Sequence, residues 1–177
     1  MHLIRLFVLS LLTLLLVVLG ISFFIPSEIR LSRAVNVMAA DSAIWQPVQD
    51  IREWPSWNPF FKDVAPDSLR PADGTQGPLR TVELNGTTIR LQKNGETEWQ
   101  ASMERPSRKP VVNGWHLVRH TGSDSVTIQW YMDFKLRWYP WEKFSSLLFE
   151  RTYGPGMETG LSNLRAIIAA GNRTSNN

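Results

Sequence analysis

The sequence predicts an α+β domain, a curved antiparallel sheet wrapped around a long C-terminal helix, behind an N-terminal transmembrane helix. Three observations predict it. Leu6 to Ile25 contains no charged residue. From Leu79 to Trp138, apolar and polar residues alternate in runs joined by tight-turn signals. Met157, Leu161, Leu164 and Ile168 then recur at four, three and four residues, the stripe of an amphipathic helix.

The first segment reads LFVLSLLTLLLVVLGISFFI, diluted only by Ser10, Thr13, Gly20 and Ser22. As a helix it spans roughly 30 Å, the thickness of a bilayer's hydrocarbon core. Only a helix keeps its amides paired in that medium. A cleaved signal peptide is the competing reading, but its apolar region is about 7–15 residues long and ends at a small-residue site. Here the run is longer and meets Phe23-Phe24-Ile25-Pro26 with no A-x-A pattern. Residues 1–26 are therefore read as a single-pass anchor, 27–171 as the domain and 172–177 as a polar tail. Arg5 precedes the span and Arg30 and Arg33 follow it, so charge hardly sets orientation. The expected location is the bacterial inner membrane, with the domain on the periplasmic side.

About 150 residues behind the anchor suit one domain with its own core. The formal net charge is +3 and the basic residues are scattered, so no nucleic-acid partner is expected. Mild basicity does suit anionic lipid headgroups. With no cysteine, disulfides, thiolate metal sites and cysteine nucleophiles are excluded. Tryptophan is the compositional outlier at eight residues, large rings that fill a core or line an apolar pocket.

In chain order, Ile29, Leu31, Val35 and Val37 alternate with polar residues and predict a strand. Asp41 or Ser42 can cap a short helix running to about Ile51. Trp54-Pro55-Ser56-Trp57-Asn58-Pro59 breaks regular structure, and a second short helix or turn carries Trp57, Phe60 and Phe61 inward. Pro66–Pro78 reads as a loop. Strands follow over Leu79–Leu84, Thr87–Lys93 and Thr97–Glu104, joined across Asn85-Gly86 and Asn94-Gly95, the strongest short hairpin signals. After a polar break come Val111–Thr121 and Ser125–Trp138. In the last strand Val126, Ile128, Trp130, Met132, Phe134, Leu136 and Trp138 share one parity, interrupted by Tyr131 on the other. Trp141–Tyr153 predicts a helix, Gly154-Pro155-Gly156 an interruption, and Met157 to about Ala170 the final helix.

Asp50-Ile51-Arg52-Glu53-Trp54-Pro55-Ser56-Trp57-Asn58-Pro59 and Gly156-Met157-Glu158-Thr159-Gly160-Leu161-Ser162-Asn163-Leu164-Arg165 add a further clue. With the anchor ending at Pro26, they make the chain resemble the START-like, or SRPBCC, superfamily over roughly residues 26–170. More narrowly it resembles the membrane-anchored bacterial polyketide cyclase/dehydrase and lipid-transport group. The resemblance implies a helix-grip fold with an apolar cavity between sheet and C-terminal helix, used by different members for lipids, sterols, quinones or polyketides. It names no ligand.

The candidate ligand-binding residues are apolar: Trp99, Trp130, Met132, Phe134, Phe144, Leu148, Met157 and Leu161. Each is also an ordinary core residue. His116 and His120 lie on a predicted strand, about 13 Å apart, too far to share a metal. Glu98, Glu104 and Asp133 fall on the wet parity of their strands, as solvated carboxylates do. No catalytic residue, metal or cofactor is assigned. The leading reading is a membrane-tethered, non-enzymatic binding domain for a lipid or other hydrophobic small molecule. The alternatives are a cyclase or dehydrase, which needs an acid–base group inside the pocket, and an interaction module with a filled core.

Overall fold

In this computed structural model, which describes residues 2–69, 77–106, 108–123 and 125–175, the alternating runs become six strands. They are β1 (Glu28–Val37), β2 (Thr81–Leu84), β3 (Thr87–Lys93), β4 (Glu98–Glu104), β5 (Val111–Arg119) and β6 (Val126–Lys135). All pair antiparallel in the order β1-β6-β5-β4-β3-β2, so the first strand lies against the last. Their register runs from Glu28 opposite Lys135 to Val37 opposite Val126.

One parity of each strand faces inward. Leu31, Ile89, Leu91, Trp99, Ala101, Trp115, Leu117, Ile128, Trp130, Met132 and Phe134 are all buried in one cluster. The helix α5 (Phe149–Ser175) lies across that face and buries Met157, Leu161, Leu164 and Ile168, the predicted stripe. This is the curved sheet around a C-terminal helix that the sequence predicts.

The Asn85-Gly86 turn forms as expected, with φ of 49° and 70° and Leu84 opposite Thr87, the geometry of a type I′ turn. Asn94-Gly95 does not. Only Gly95 has positive φ, and Lys93 pairs with Trp99 across a wider loop. The Asn94 amide donates to the Glu98 carbonyl at 2.9 Å and its side chain to the Glu98 carboxylate at 2.7 Å, which holds that loop.

The first short helix, α2, covers only Asp41–Trp45. Ala40 stands at its N-cap, and Asp41 pairs with Arg119 instead of capping. A 3-10 turn (Ile51–Glu53) follows, capped by the Asp50 carboxylate accepting from the Arg52 amide. The single-turn helix α3 (Trp54–Trp57) carries Pro55 in its first turn, where a missing N–H costs no helical bond. Of the predicted loop over 66–78, residues 70–76 lie outside the described residues, as do the last two of the polar tail.

Three boundaries near the C-terminus differ from expectation. β6 ends at Lys135, so Trp138 is not an inner-face strand residue and is 71% exposed. The next helix, α4, spans Pro140–Ser146, and the break falls at Leu147–Leu148. Gly154-Pro155-Gly156 interrupts nothing, because α5 runs through it to Ser175. Pro155 deprives the Arg151 carbonyl of its donor. Arg33 of β1 bridges this point, pairing with Glu150 before the proline and with Glu158 after it, the latter at 2.7 Å.

The apolar helix α1 (His2–Phe24) stands almost wholly exposed, long and apolar enough to cross a membrane by length and composition. It meets the domain near its end. Ser22 is buried there, α1 touches α4, and the Lys143 ammonium donates to the Ile25 carbonyl at 2.7 Å. A cation at the carbonyl end of a helix is favourably placed.

Candidate ligand-binding site

The interior between sheet and α5 is built around four indoles, those of Trp54, Trp57, Trp115 and Trp130, each under 2% exposed. The Trp-Pro-x-Trp turn supplies two of them. The Trp54 Nε1 donates to the Val48 carbonyl at 3.0 Å and the Trp57 Nε1 to the Pro47 carbonyl at 2.9 Å, so the turn is stitched to the chain just ahead of it. β5 and β6 supply the others, directly opposite each other. Ring centroids lie 5.3 Å apart for Trp54–Trp115, 6.0 Å for Trp57–Trp115 and 5.8 Å for both Trp57–Trp130 and Trp115–Trp130. Rings at such distances are in contact, and the centre is filled.

Six of the eight residues named from the sequence fall in this interior. Trp130, Met157 and Leu161 lie in the middle, with Gly160 of α5 against the Trp130 ring, where a Cβ would come within 2.7 Å. Met132 and Phe134 continue along β6 toward α1, and Phe134 packs on Phe149 (4.6 Å) and Tyr153 (5.0 Å). Trp99 lies beside Trp45, 6.5 Å between centroids, beneath the Arg80 guanidinium at 4.4 Å. The other two are elsewhere: Phe144 is half-buried on α4, outside the core cluster, and Leu148 is 60% exposed.

The sequence reading passed over Trp45, Trp54, Trp57 and Trp115 as site residues, along with Asn113. Parity along β5 would have placed Trp115 and Asn113 inward with Leu117. Asn113 is 1% exposed and accepts from the Trp130 Nε1 at 3.3 Å. The Nε1 groups of Trp45, Trp99 and Trp115 are buried and find no acceptor among the described residues. A buried donor left unmatched costs about 1–3 kcal/mol. Three in one apolar interior form its main polar feature.

The outer face holds the acid–base candidates read from the sequence. Glu98, Glu104, His116 and Asp133 occupy it, and His120, just past the end of β5, bonds to Thr127 of the same face, so none of these five points between sheet and helix. Glu104 pairs with Arg90, Asp133 takes a two-pronged hydrogen bond from Arg30, His116 meets Thr97 and His120 meets Thr127. Tyr131 is buried on this face because it lies across Gly114, where a Cβ would sit 2.1 Å from its ring. Its hydroxyl donates to Glu98 and accepts from Gln100. Burial and the neighbouring Glu98 carboxylate push the phenol up to about 12. Among the described residues, no group of three or more His, Cys, Asp or Glu could hold a metal. A separate polar recess of about 610 Å³, bordered by Asp41, Ser42, Arg119 and His120, lies at the far end of the sheet from α1.

Solved structures with this architecture are numerous. A START superfamily protein from Mycobacterium smegmatis is 19% identical, covers 80% of this chain and 97% of its own, and superposes with a TM-score of 0.53. Norcoclaurine synthase from Thalictrum flavum, solved as a point mutant with a transition-state analogue, is 16% identical over 82% of this chain and 96% of its own, TM-score 0.52. The di-domain ARO/CYC StfQ of the steffimycin biosynthetic pathway is 8% identical over 81% of this chain and 52% of its own, TM-score 0.54. At these identities the likeness is one of fold. No curated protein matches the sequence. The profile of the polyketide cyclase/dehydrase and lipid transport family matches residues 28–169, nearly the whole domain behind α1. The chain belongs to that family, with the START-like helix-grip fold.

Proposed function

We propose that this protein is a membrane-tethered binding domain for a lipophilic molecule that carries an acceptor oxygen. The fold is one that suggests hydrophobic-ligand binding or cyclase and dehydrase chemistry. The observation that carries the binding reading is the set of unmatched indole N–H donors of Trp45, Trp99 and Trp115 inside an apolar interior. A carbonyl or carboxylate oxygen on a ligand would match them, while its hydrocarbon part lies against Trp99, Trp130, Met132, Phe134, Met157 and Leu161. Since the indole centre is closely packed, entry requires rings to move. The outward placement of Glu98, Glu104, His116, His120 and Asp133 leaves a cyclase reading without its best acid–base candidates. The packed indole quartet favours a second reading, an interaction module with a filled core.

The test uses full-length protein labelled with ¹⁵N at tryptophan, in detergent, titrated with oleic acid and, separately, with hexadecane. The expected result is that oleic acid moves the Nε1–H resonances of Trp45, Trp99 and Trp115 by more than those of Trp54 and Trp57, which keep their bonds to backbone carbonyls. If no indole resonance responds, or hexadecane moves the same three equally, the acceptor-oxygen reading is wrong.

A further inference from the structure

Large apolar groups on a protein surface mark a contact when they form a contiguous patch. One such patch is confined to the chain around α4. Trp138 (71%), Trp141 (66%), Leu147 (66%) and Leu148 (60%) are all exposed within eleven residues. Tyr139 ties the two indoles together, 4.9 Å from Trp138 and stacked on Trp141 at 4.7 Å. These rings are packed against one another while both indoles stay largely in solvent.

The position of this patch identifies its occupant. α4 is the element against which the end of α1 rests, through buried Ser22 and the Lys143–Ile25 hydrogen bond. A 23-residue helix is about 34 Å long, so α1 uses the full hydrocarbon thickness and the headgroup layer begins near Phe24. Whatever touches that end of α1 stands at headgroup depth. Tryptophan and tyrosine are enriched at that depth because their rings are apolar and their N–H and O–H groups remain wet. Charge agrees. The register places Val111 opposite Phe134, so the loop before β5, with exposed Arg108 and Lys109, stands at the same end of the sheet, as does Lys135, which pairs there with Glu28 at 3.8 Å. Cations there meet anionic headgroups.

We propose that residues 138–148 dock on the lipid bilayer, with Trp138, Trp141, Leu147 and Leu148 in the headgroup–acyl boundary. This rests on α1 spanning the membrane, and goes beyond it: the domain is seated in one orientation instead of swinging on a linker. In that orientation the Phe134–Phe149–Tyr153 end of the interior is the end nearest the lipid.

Because the chain has no cysteine, single cysteines report without background. The full-length variants Trp141→Cys, Leu148→Cys, Ser123→Cys and Leu12→Cys carry a nitroxide label in vesicles of phosphatidylethanolamine and phosphatidylglycerol. Collision with oxygen, which favours lipid, is compared with collision with a water-soluble nickel chelate. Ser123, exposed at the far end of the sheet, is the aqueous reference, and Leu12 reports on α1 itself. The expected result is a several-fold loss of nickel access at positions 141 and 148 relative to 123, with oxygen access retained. A lipid-like signal at 12 with aqueous signals at 141 and 148 overturns the docking and leaves the anchor intact. An aqueous signal at 12 overturns both. Shielding of 141 and 148 from both reagents means that protein, a second copy or another partner, covers the patch, and the bilayer proposal fails.

Discussion

Six of the eight tryptophans and the remaining two make opposite use of one side chain. Trp45, Trp54, Trp57, Trp99, Trp115 and Trp130 are buried at 7% exposure or less, whereas Trp138 and Trp141 stand two-thirds or more exposed. In the first group the ring supplies area, and its N–H is a liability that must find an acceptor. Trp54 and Trp57 use backbone carbonyls, Trp130 uses Asn113, and three have none among the described residues. In the second group the indoles stand largely in solvent, and the rings, packed on Tyr139, keep most of their apolar area uncovered. The same amphipathic residue therefore marks two different deficits: a missing acceptor inside and a missing apolar surface outside.

The contrast breaks most directly by truncation. Trp115→Ala removes a ring that is 0% exposed and touches Trp54, Trp57 and Trp130, with an expected cost of about 3–5 kcal/mol. Trp141→Ala is expected to stay within about 0.5 kcal/mol of the parent in detergent. Urea unfolding of the full-length chain measures both, and comparable losses would erase the division.

Smaller effects sharpen it. Gly160→Ala drives a Cβ to 2.7 Å from the Trp130 ring, which is fully buried and cannot yield, so a loss of about 1–3 kcal/mol is expected. Gly156→Ala meets the far end of the Phe60 ring at 2.5 Å, but Phe60 is 40% exposed and can turn toward solvent from its contacts with Trp130 and Tyr153. The helix preference of alanine, about 1 kcal/mol, then offsets the contact, and midpoint unfolding should barely move. Asn113→Ala leaves the Trp130 N–H as a fourth unmatched donor, at about 1–3 kcal/mol, and should bring its indole resonance to the chemical shift range of Trp115.

The smallest effect is a pH dependence at the turn that presents the buried pair. Burial alone would raise the Asp50 carboxyl, but hydrogen bonds from Arg52 and from the Leu79 amide hold it below its ordinary value. A folded value below the unfolded one stabilises above the unfolded value, near about 4, and this contribution is lost as pH falls through the folded value. The stability gap between the parent and Asp50→Asn should accordingly be widest at neutral pH and narrow in acid, as read by urea midpoints.

The sheet was legible because alternation reports a face directly. Val126 to Phe134 announces one wet and one buried side, and Asn85-Gly86 announces the φ its turn needs. Tyr131 broke the pattern for a reason that only the neighbouring strand reveals: Gly114 leaves room for its ring. Local rules failed where distant partners decide. Pro155 lies within a continuous helix that Arg33, more than a hundred residues away, grips on both sides. Trp138 keeps the parity of β6 after the strand has ended, so the sequence made it core. Phe144 and Leu148 belong to one helix, Trp141–Tyr153, in the sequence reading; the break at Leu147–Leu148 divides it, leaving Phe144 half-buried on α4 outside the core cluster and Leu148 exposed. The Trp-Pro-x-Trp turn carries Trp57 inward in the sequence reading, but neither Trp54 nor Trp57 joins the candidate site, because nothing local states which strands the turn will lie against.

The pairing of β1 with β6 also governs the order in which this chain can fold. Arg30 and Asp133, joined by two hydrogen bonds, are 103 residues apart. A strand synthesised first must wait for the one synthesised last of the six, and contacts so distant in sequence form slowly. Until β6 leaves the ribosome, both edges of β1 are unsatisfied and Leu31 and Val37 have nothing to cover them, a template for association with other chains. The nascent protein therefore passes through an aggregation-prone interval with only the β2–β5 side of the sheet complete, and mutations that speed β5–β6 closure should raise its yield more than mutations that strengthen the finished core.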